Sequence, residues 1–257
     1  MAALIYEKKG NIAYITINRP EAMNAMNSEV WQGVKESLIK VRDDAEVRVA
    51  ILTGAGDKAF SVGADLKESS GLTTSTPSET SSSPFDLIHS ANVWTPIIAA
   101  INGYCLGDGF FLALFCDIRI ASEQTIFGIP EVSLGISPDR GVTQWLPRLI
   151  PAGVALQLLL TGERFSASDA CRFGLVNKVV PQNDLISAAE ALGNQISNNG
   201  PLAVKAVKRA FWQGLAMNMD EGLQLEKELS MATLQSMDVK EAMTAFAQKR
   251  KPLFKGQ

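Results

Sequence analysis

Ile97-Ile98-Ala99-Ala100-Ile101-Asn102-Gly103-Tyr104-Cys105-Leu106-Gly107-Asp108-Gly109-Phe110-Phe111-Leu112-Ala113-Leu114-Phe115 decides the reading of this chain. Residues 97–101 are apolar and β-branched, as a buried strand requires, and Asn102-Gly103 turns the chain out of it. The stretch from Asp108 to Phe115 is almost wholly apolar and too short to cross a membrane, which predicts a helix buried at the centre of a domain. Glycines bracket its start. Its first N–H groups therefore point outward from a positive helix end, where an anion is stabilised. Close packing of strand on helix is the plainer use of Gly107 and Gly109.

The alternation continues on both sides. Residues 12–17 and 47–53 read as strands, separated by a helix whose Val30, Trp31, Val34, Leu38 and Val41 recur at helical spacing and which Ser28 is placed to cap. Residues 117–121 and 126–129 are two further short strands. Helices then take over, starting near Gly141, Gly153, Ser168, Asp184, Pro201, Asp220 and Val239. Strands with intervening helices, followed by helices alone, predict an α/β core over 1–198 and a helical C-terminal region over 199–257. Residues 69–84 are dominated by Ser, Thr and Pro and cannot build a core. Their composition predicts a mobile loop, placed where a lid would be useful.

The bulk properties narrow the function. A 257-residue chain with 46% hydrophobic and 20% charged residues suits one large globular domain. Its net charge of −3 gives no basic surface for nucleic acid. No apolar run approaches the roughly 20 residues of a membrane span, and the first ten residues do not resemble a signal peptide, so a cytoplasmic location is expected. Cys105, Cys116 and Cys171 lie in apolar segments without metal-ligand spacing and read as reduced, buried thiols. A single histidine, His89, excludes a multi-histidine metal site, and no nucleophile motif accompanies it.

Two more segments carry candidate chemistry. In Ala59-Phe60-Ser61-Val62-Gly63-Ala64-Asp65-Leu66-Lys67, glycine before a small residue lets the backbone approach a ligand, although a tight turn explains it equally simply. In Phe127-Gly128-Ile129-Pro130-Glu131-Val132-Ser133-Leu134-Gly135-Ile136-Ser137-Pro138-Asp139-Arg140-Gly141, two carboxylates stand eight residues apart in apolar or glycine-rich surroundings. Such surroundings raise a carboxyl pKa and suit it to proton transfer near neutrality. Asp139 has a second reading, as a helix cap.

These three motifs, in this order and spacing, resemble those of the enoyl-CoA hydratase/isomerase family, the crotonases. So do Asn18-Arg19-Pro20-Glu21-Ala22-Met23-Asn24-Ala25, Leu52-Thr53-Gly54-Ala55-Gly56 and Gly174-Leu175-Val176-Asn177-Lys178-Val179-Val180-Pro181. The resemblance spans nearly the whole chain. It implies a spiral of ββα units with a helical C-terminal region, assembled as a trimer or a dimer of trimers. It also implies an acyl-CoA substrate, with coenzyme A entering as part of the thioester and no tightly bound cofactor or metal. The N–H groups of Ala64 and Asp108 would bind the thioester oxygen and stabilise an enolate. Ala64, Asp65, Leu66 and Lys67 resemble the coenzyme A contact, and Phe246 and Lys249 resemble residues that reach a coenzyme A on a neighbouring subunit.

Three departures from the family pattern shape the expected chemistry. Hydratases use two glutamates to handle water; the second matches Glu131, but Phe111 stands at the first. The second oxyanion position, usually glycine, is Asp108, whose side chain is expected to turn away or cap the helix. A third position, glycine in hydratases, is Asp139, which dienoyl-CoA isomerases share. The pattern favours double-bond isomerisation with Glu131 as proton shuttle and Asp139 as a possible partner. Hydration by one glutamate, decarboxylation or carbon–carbon bond chemistry, and a binding protein without turnover are the alternatives. Phe110, Phe111, Phe115 and Trp145 are candidates to line a pocket for a bulky acyl group, or plain core.

Overall fold

The computed structural model describes residues 2–66 and 92–257. Lys67, His89 and the Ser-rich stretch 69–84 lie outside the described residues. The chain opens with an antiparallel hairpin, β1 (Leu4–Lys9) and β2 (Ile12–Ile17). Helix α1 (Ser28–Asp43) follows, and its N-cap is Asn27, not the expected Ser28. Asn27 has extended backbone and accepts from the Val30 N–H at 3.0 Å, whereas Ser28 already belongs to the first turn.

From here the chain delivers one strand to each of two sheets on every pass. β3 (Val49–Gly54) leads to β4 (Ala59–Ser61); β5 (Ile97–Ile101) leads to β6 (Tyr104–Leu106) and helix α2 (Asp108–Phe115); β7 (Ile118–Ser122) leads to β8 (Ile126–Gly128). β9 (Arg164–Ser166), helix α5 (Ala167–Phe173) and β10 (Lys178–Val180) complete the last pass. The result is a six-stranded sheet, β1-β2-β3-β5-β7-β10, and a four-stranded sheet, β4-β6-β8-β9. Steady addition of parallel neighbours in both sheets makes the layout a spiral.

Every residue of β3 and β5 is buried, as expected of parallel strands covered on both faces. Alternation divides them. Val49, Ile51, Ile98 and Ala100 face Leu185 and Ala189 of helix α6 (Leu185–Ser197). Ala50, Leu52, Ala99 and Ile101 face the main core, which holds α2 between the sheets. Gly109 permits that packing, because a Cβ there would stand 2.5 Å from the Ser61 carbonyl oxygen.

The remaining helices are α3 (Val142–Leu149), α4 (Ala152–Thr161), α7 (Pro201–Gly214), α8 (Met219–Leu234) and α9 (Met237–Ala247). α7 and α8 bury no residue fully and expose Val207, Phe211, Met219, Leu223 and Leu234. The chain end is nonetheless anchored: buried Asp238 accepts from the Lys255 and Gly256 N–H groups, at 2.8 and 3.0 Å. Cys105 and Cys116 are buried thiols, but Cys171 is exposed, contrary to expectation. α5 turns Ala167 and Ala170 inward, which leaves Cys171 on its outer face. Among the described residues no helix is long and apolar enough to cross a membrane.

Candidate active site

The site forms where three backbone segments meet at the N-terminus of α2. Beyond β4 the chain passes through Gly63 at φ +97° and makes a single parallel bridge between Met26 and Ala64. Met26 donates to the Gly63 carbonyl at 2.8 Å, and Asp65 donates to the Met26 carbonyl at 3.1 Å. The intervening Ala64 N–H thus faces away from that bridge, with no acceptor among the described residues. In α2 the first closed helical bond runs from Phe111 N–H to the Gly107 carbonyl at 2.9 Å. The Asp108 N–H precedes it at the positive end of the helix and likewise has no acceptor among the described residues. A methyl on Gly63 would come within 3.3 Å of the Asp108 nitrogen, so the two segments are in contact.

Glu131 is brought in by the third segment. A one-turn 3-10 helix, Pro130–Leu134, starts on Pro130 and ends at Gly135 in left-handed backbone. It aims the Glu131 carboxylate at Gly107, where a methyl would stand 3.3 Å from Oε1. Gly107 has φ +50°, a backbone that disfavours side chains, and so leaves both the strained turn and the carboxylate's room intact. Oε2 is buried without a hydrogen-bond partner among the described residues. Burial pushes the Glu131 carboxyl above the ordinary carboxylate range, and the charges of Asp108 and Asp139 add to this. The residue's own N–H and the Arg140 guanidinium oppose the shift.

The Asp108 side chain caps nothing; Gly107 is the N-cap of α2. It turns instead to Arg140, whose Nε lies 3.0 Å from Asp108 Oδ1 and 3.5 Å from Asp139 Oδ1. The guanidinium lies over the Trp31 ring at 5.1 Å, and Trp31 packs against Phe111 at 6.2 Å between ring centroids. Phe111 is 3% exposed. The Asp108 side chain is 11% exposed and the Asp139 side chain 84%. Asp139 therefore points to solvent, and only its carbonyl serves α3, accepting from the Val142 N–H at 3.2 Å. In the sequence Trp31 reads only as a helix residue packing inward, and Arg140 only as the neighbour of Asp139; neither is singled out for the site. The one available signal was arginine between aspartate and glycine, and the structure holds it at φ +51°.

An apolar cavity of about 490 Å³ adjoins α2, lined by Phe111, Phe115, Trp94, Trp145, Trp212 and Met217 among others. Trp145 meets Trp212 edge-on at 5.0 Å. Phe110 does not line it; it packs edge-on against Phe127 and Phe165 in the core. Of the expected coenzyme A contacts, Asp65 is paired with Arg19 at 2.8 Å and Leu66 is 67% exposed. Phe246 on α9 is 86% exposed, and Lys249 beyond it is exposed too.

Two N–H donors without acceptors among the described residues, one beyond the Gly63 turn and one at the start of α2, lie where the half-buried Glu131 carboxyl reaches Gly107, an arrangement that could stabilise a negative oxygen and move a proton beside it. A sequence profile described as "Enoyl-CoA hydratase/isomerase" matches residues 7–257. The chain is 42% identical to the short-chain-enoyl-CoA hydratase of Clostridium acetobutylicum, over 96% of this chain and 95% of that one. It is 40% identical to the (E)-benzylidenesuccinyl-CoA hydratase of Thauera aromatica, over 97% and 98%. The crystal structure of an enoyl-CoA hydratase from Mycobacterium tuberculosis superposes with a TM-score of 0.93 at 35% identity, covering both chains fully. The chain belongs to the enoyl-CoA hydratase/isomerase family, and its fold is the crotonase spiral.

Proposed function

We propose that this acyl-CoA enzyme moves a carbon–carbon double bond in an enoyl-CoA, with Glu131 as the proton shuttle. The observation that carries this is a half-buried Glu131 carboxyl with one buried oxygen unpartnered among the described residues, set against Gly107 where the Gly63 turn and the start of α2 meet, while Phe111 fills the position of a second acid. Glu131 takes a proton from C2 of a 3-enoyl thioester, and the electron pair moves into a dienolate. The two N–H groups hold the developing oxyanion; fixed donors in a dry site stabilise such a charge far more than water does. Glu131 then returns the proton at C4, which leaves the double bond conjugated with the thioester. Coenzyme A enters only as part of the substrate, and the apolar face of α7 and α8 is where subunits of a trimer would meet. With its carboxylate in solvent, Asp139 is not needed for this cycle.

The test is incubation with 3-enoyl-CoA and dienoyl-CoA in heavy water, following absorbance and mass. Conjugation with deuterium uptake is expected, and Glu131→Gln abolishes both. Undiminished turnover by that variant contradicts the reading. Reversible hydration is the second reading. It is favoured by the hydratase names of the relatives and by the buried Asp108 carboxylate beside Glu131.

A further inference from the structure

Three buried side-chain atoms at the α2 N-terminus have no partner among the described residues: Asp108 Oδ2, Glu131 Oε2 and Arg140 Nη1. Buried polar atoms are rarely left so, and where they cluster a water or a ligand group completes them. Two of the three are carboxyl oxygens, which accept hydrogen bonds. A water donates two hydrogen bonds, so one molecule between Oδ2 and Oε2 satisfies both acceptors and keeps its oxygen lone pairs free. Asp108 and Phe111 lie three residues apart on α2, so they share a face of the helix. The carboxylate absent at Phe111 is thus present one turn earlier. Arg140 holds its other oxygen at 3.0 Å, and Trp31 lies beneath the guanidinium.

We propose that the Asp108 side chain is a second catalytic carboxylate, which with Glu131 holds one water and gives the site an enoyl-CoA hydratase activity alongside isomerisation. The proposal rests on the reading that Glu131 and the two N–H groups form the acyl-thioester site. In the step, the water oxygen bonds to C3 of a 2-enoyl thioester as one of its protons passes to Asp108. The C2–C3 π pair moves onto the thioester oxygen, held by the two N–H groups. This cycle starts with Glu131 protonated and Asp108 ionised: the enolate collapses by taking the Glu131 proton at C2, and the proton on Asp108 then returns to Glu131 through solvent. The sum is addition of H and OH, with both carboxyl groups restored.

Asp108→Asn and Asp108→Gly both keep the backbone N–H and remove the carboxylate. Hydration of 2-enoyl-CoA, read as incorporation of heavy-isotope water oxygen into the 3-hydroxyacyl product, is expected to fall at least hundredfold in both. The ratio of hydration to isomerisation should fall at least tenfold. A purely structural role lowers both activities together and leaves that ratio unchanged, which overturns the proposal. So does a wild-type enzyme that isomerises but never hydrates. If Glu131→Gln retains both activities, the underlying site assignment fails instead, and the two failures are told apart. Should Asp108→Asn not fold, Asp108→Gly carries the test, because glycine suits a helix start beside Gly107.

Discussion

Helix α2 carries a polar cluster at each end, and the two are built on opposite terms. At the C-terminal end, Arg119 of β7 is buried and spends its donors on carbonyls: Leu175 at 2.7 Å, Ala113 at 3.2 Å, and others in the same turn. Its charge sits at the negative end of the helix, and the orphan carbonyls of the last turn are satisfied. Asp117 beside it accepts from Trp212 and pairs with Lys208, at 2.7 and 2.8 Å. At the N-terminal end, two backbone N–H groups and three buried side-chain atoms have no partner among the described residues. A polar network that only stabilises tends to close on itself; one that works on a ligand leaves positions open for it.

The contrast can be broken most sharply at Glu131. Glu131→Gln removes the proton-transfer group but little volume. Loss of general acid–base catalysis costs about 10²–10⁴-fold, so kcat/KM should fall by about 10³ with the fold intact. Far-ultraviolet circular dichroism beside steady-state kinetics checks both halves. Arg119→Met is the mirror experiment. Leaving several buried carbonyls without their donor should cost about 3 kcal/mol. At about 2–4 °C per kcal/mol for a domain of this size, the melting temperature falls by about 6–12 °C. The kcat of the folded fraction should stay within about threefold.

Gly107→Ala, at the N-terminal end alone, is smaller and affects both stability and catalysis. It places a side chain at φ +50° and a methyl 3.3 Å from Glu131 Oε1, so about 1–2 kcal/mol of stability and about tenfold in kcat should be lost. The smallest effect is linked to pH. Burial raises the Glu131 pKa above its ordinary value of 4.5. A group raised on folding contributes stability that is present in acid and lost as pH rises through the raised value. Neutral glutamine suffers no such loss. Glu131→Gln should therefore melt a few degrees higher than wild type at neutral pH, and the advantage should vanish in acid. In the wild type, isomerisation should decline on acidification through that same raised pKa, because only the carboxylate accepts a proton.

Much of this was legible in the chain before folding, for identifiable reasons. The α2 boundaries follow from an apolar run bracketed by glycines, and they match the structure from Asp108 to Phe115. Strands such as β2 and β5 stand out because five or six β-branched or small apolar residues recur together. The second sheet was largely hidden: β4, β6 and β9 are three residues long, too short for a period-two pattern to emerge. Glu131 stood out as a carboxylate in apolar company. The partner of the Asp108 side chain did not, since Arg140 lies 32 residues on and is brought back only by the spiral. The eight-residue spacing of Glu131 and Asp139 suggested a pair. One turn of 3-10 helix and the left-handed Arg140 send the Asp139 side chain outward instead.

The most direct test of the central claim is solvent deuterium entry into an acyl-CoA, followed by mass spectrometry on wild type and Glu131→Gln. The account predicts that wild type introduces deuterium at C4 as it converts a 3-enoyl-CoA to the conjugated 2-enoyl-CoA, and that the variant does so at least a hundredfold more slowly while its circular dichroism is unchanged. Labelling by Glu131→Gln at the wild-type rate would contradict it, because the proton would then be moved by some group other than Glu131.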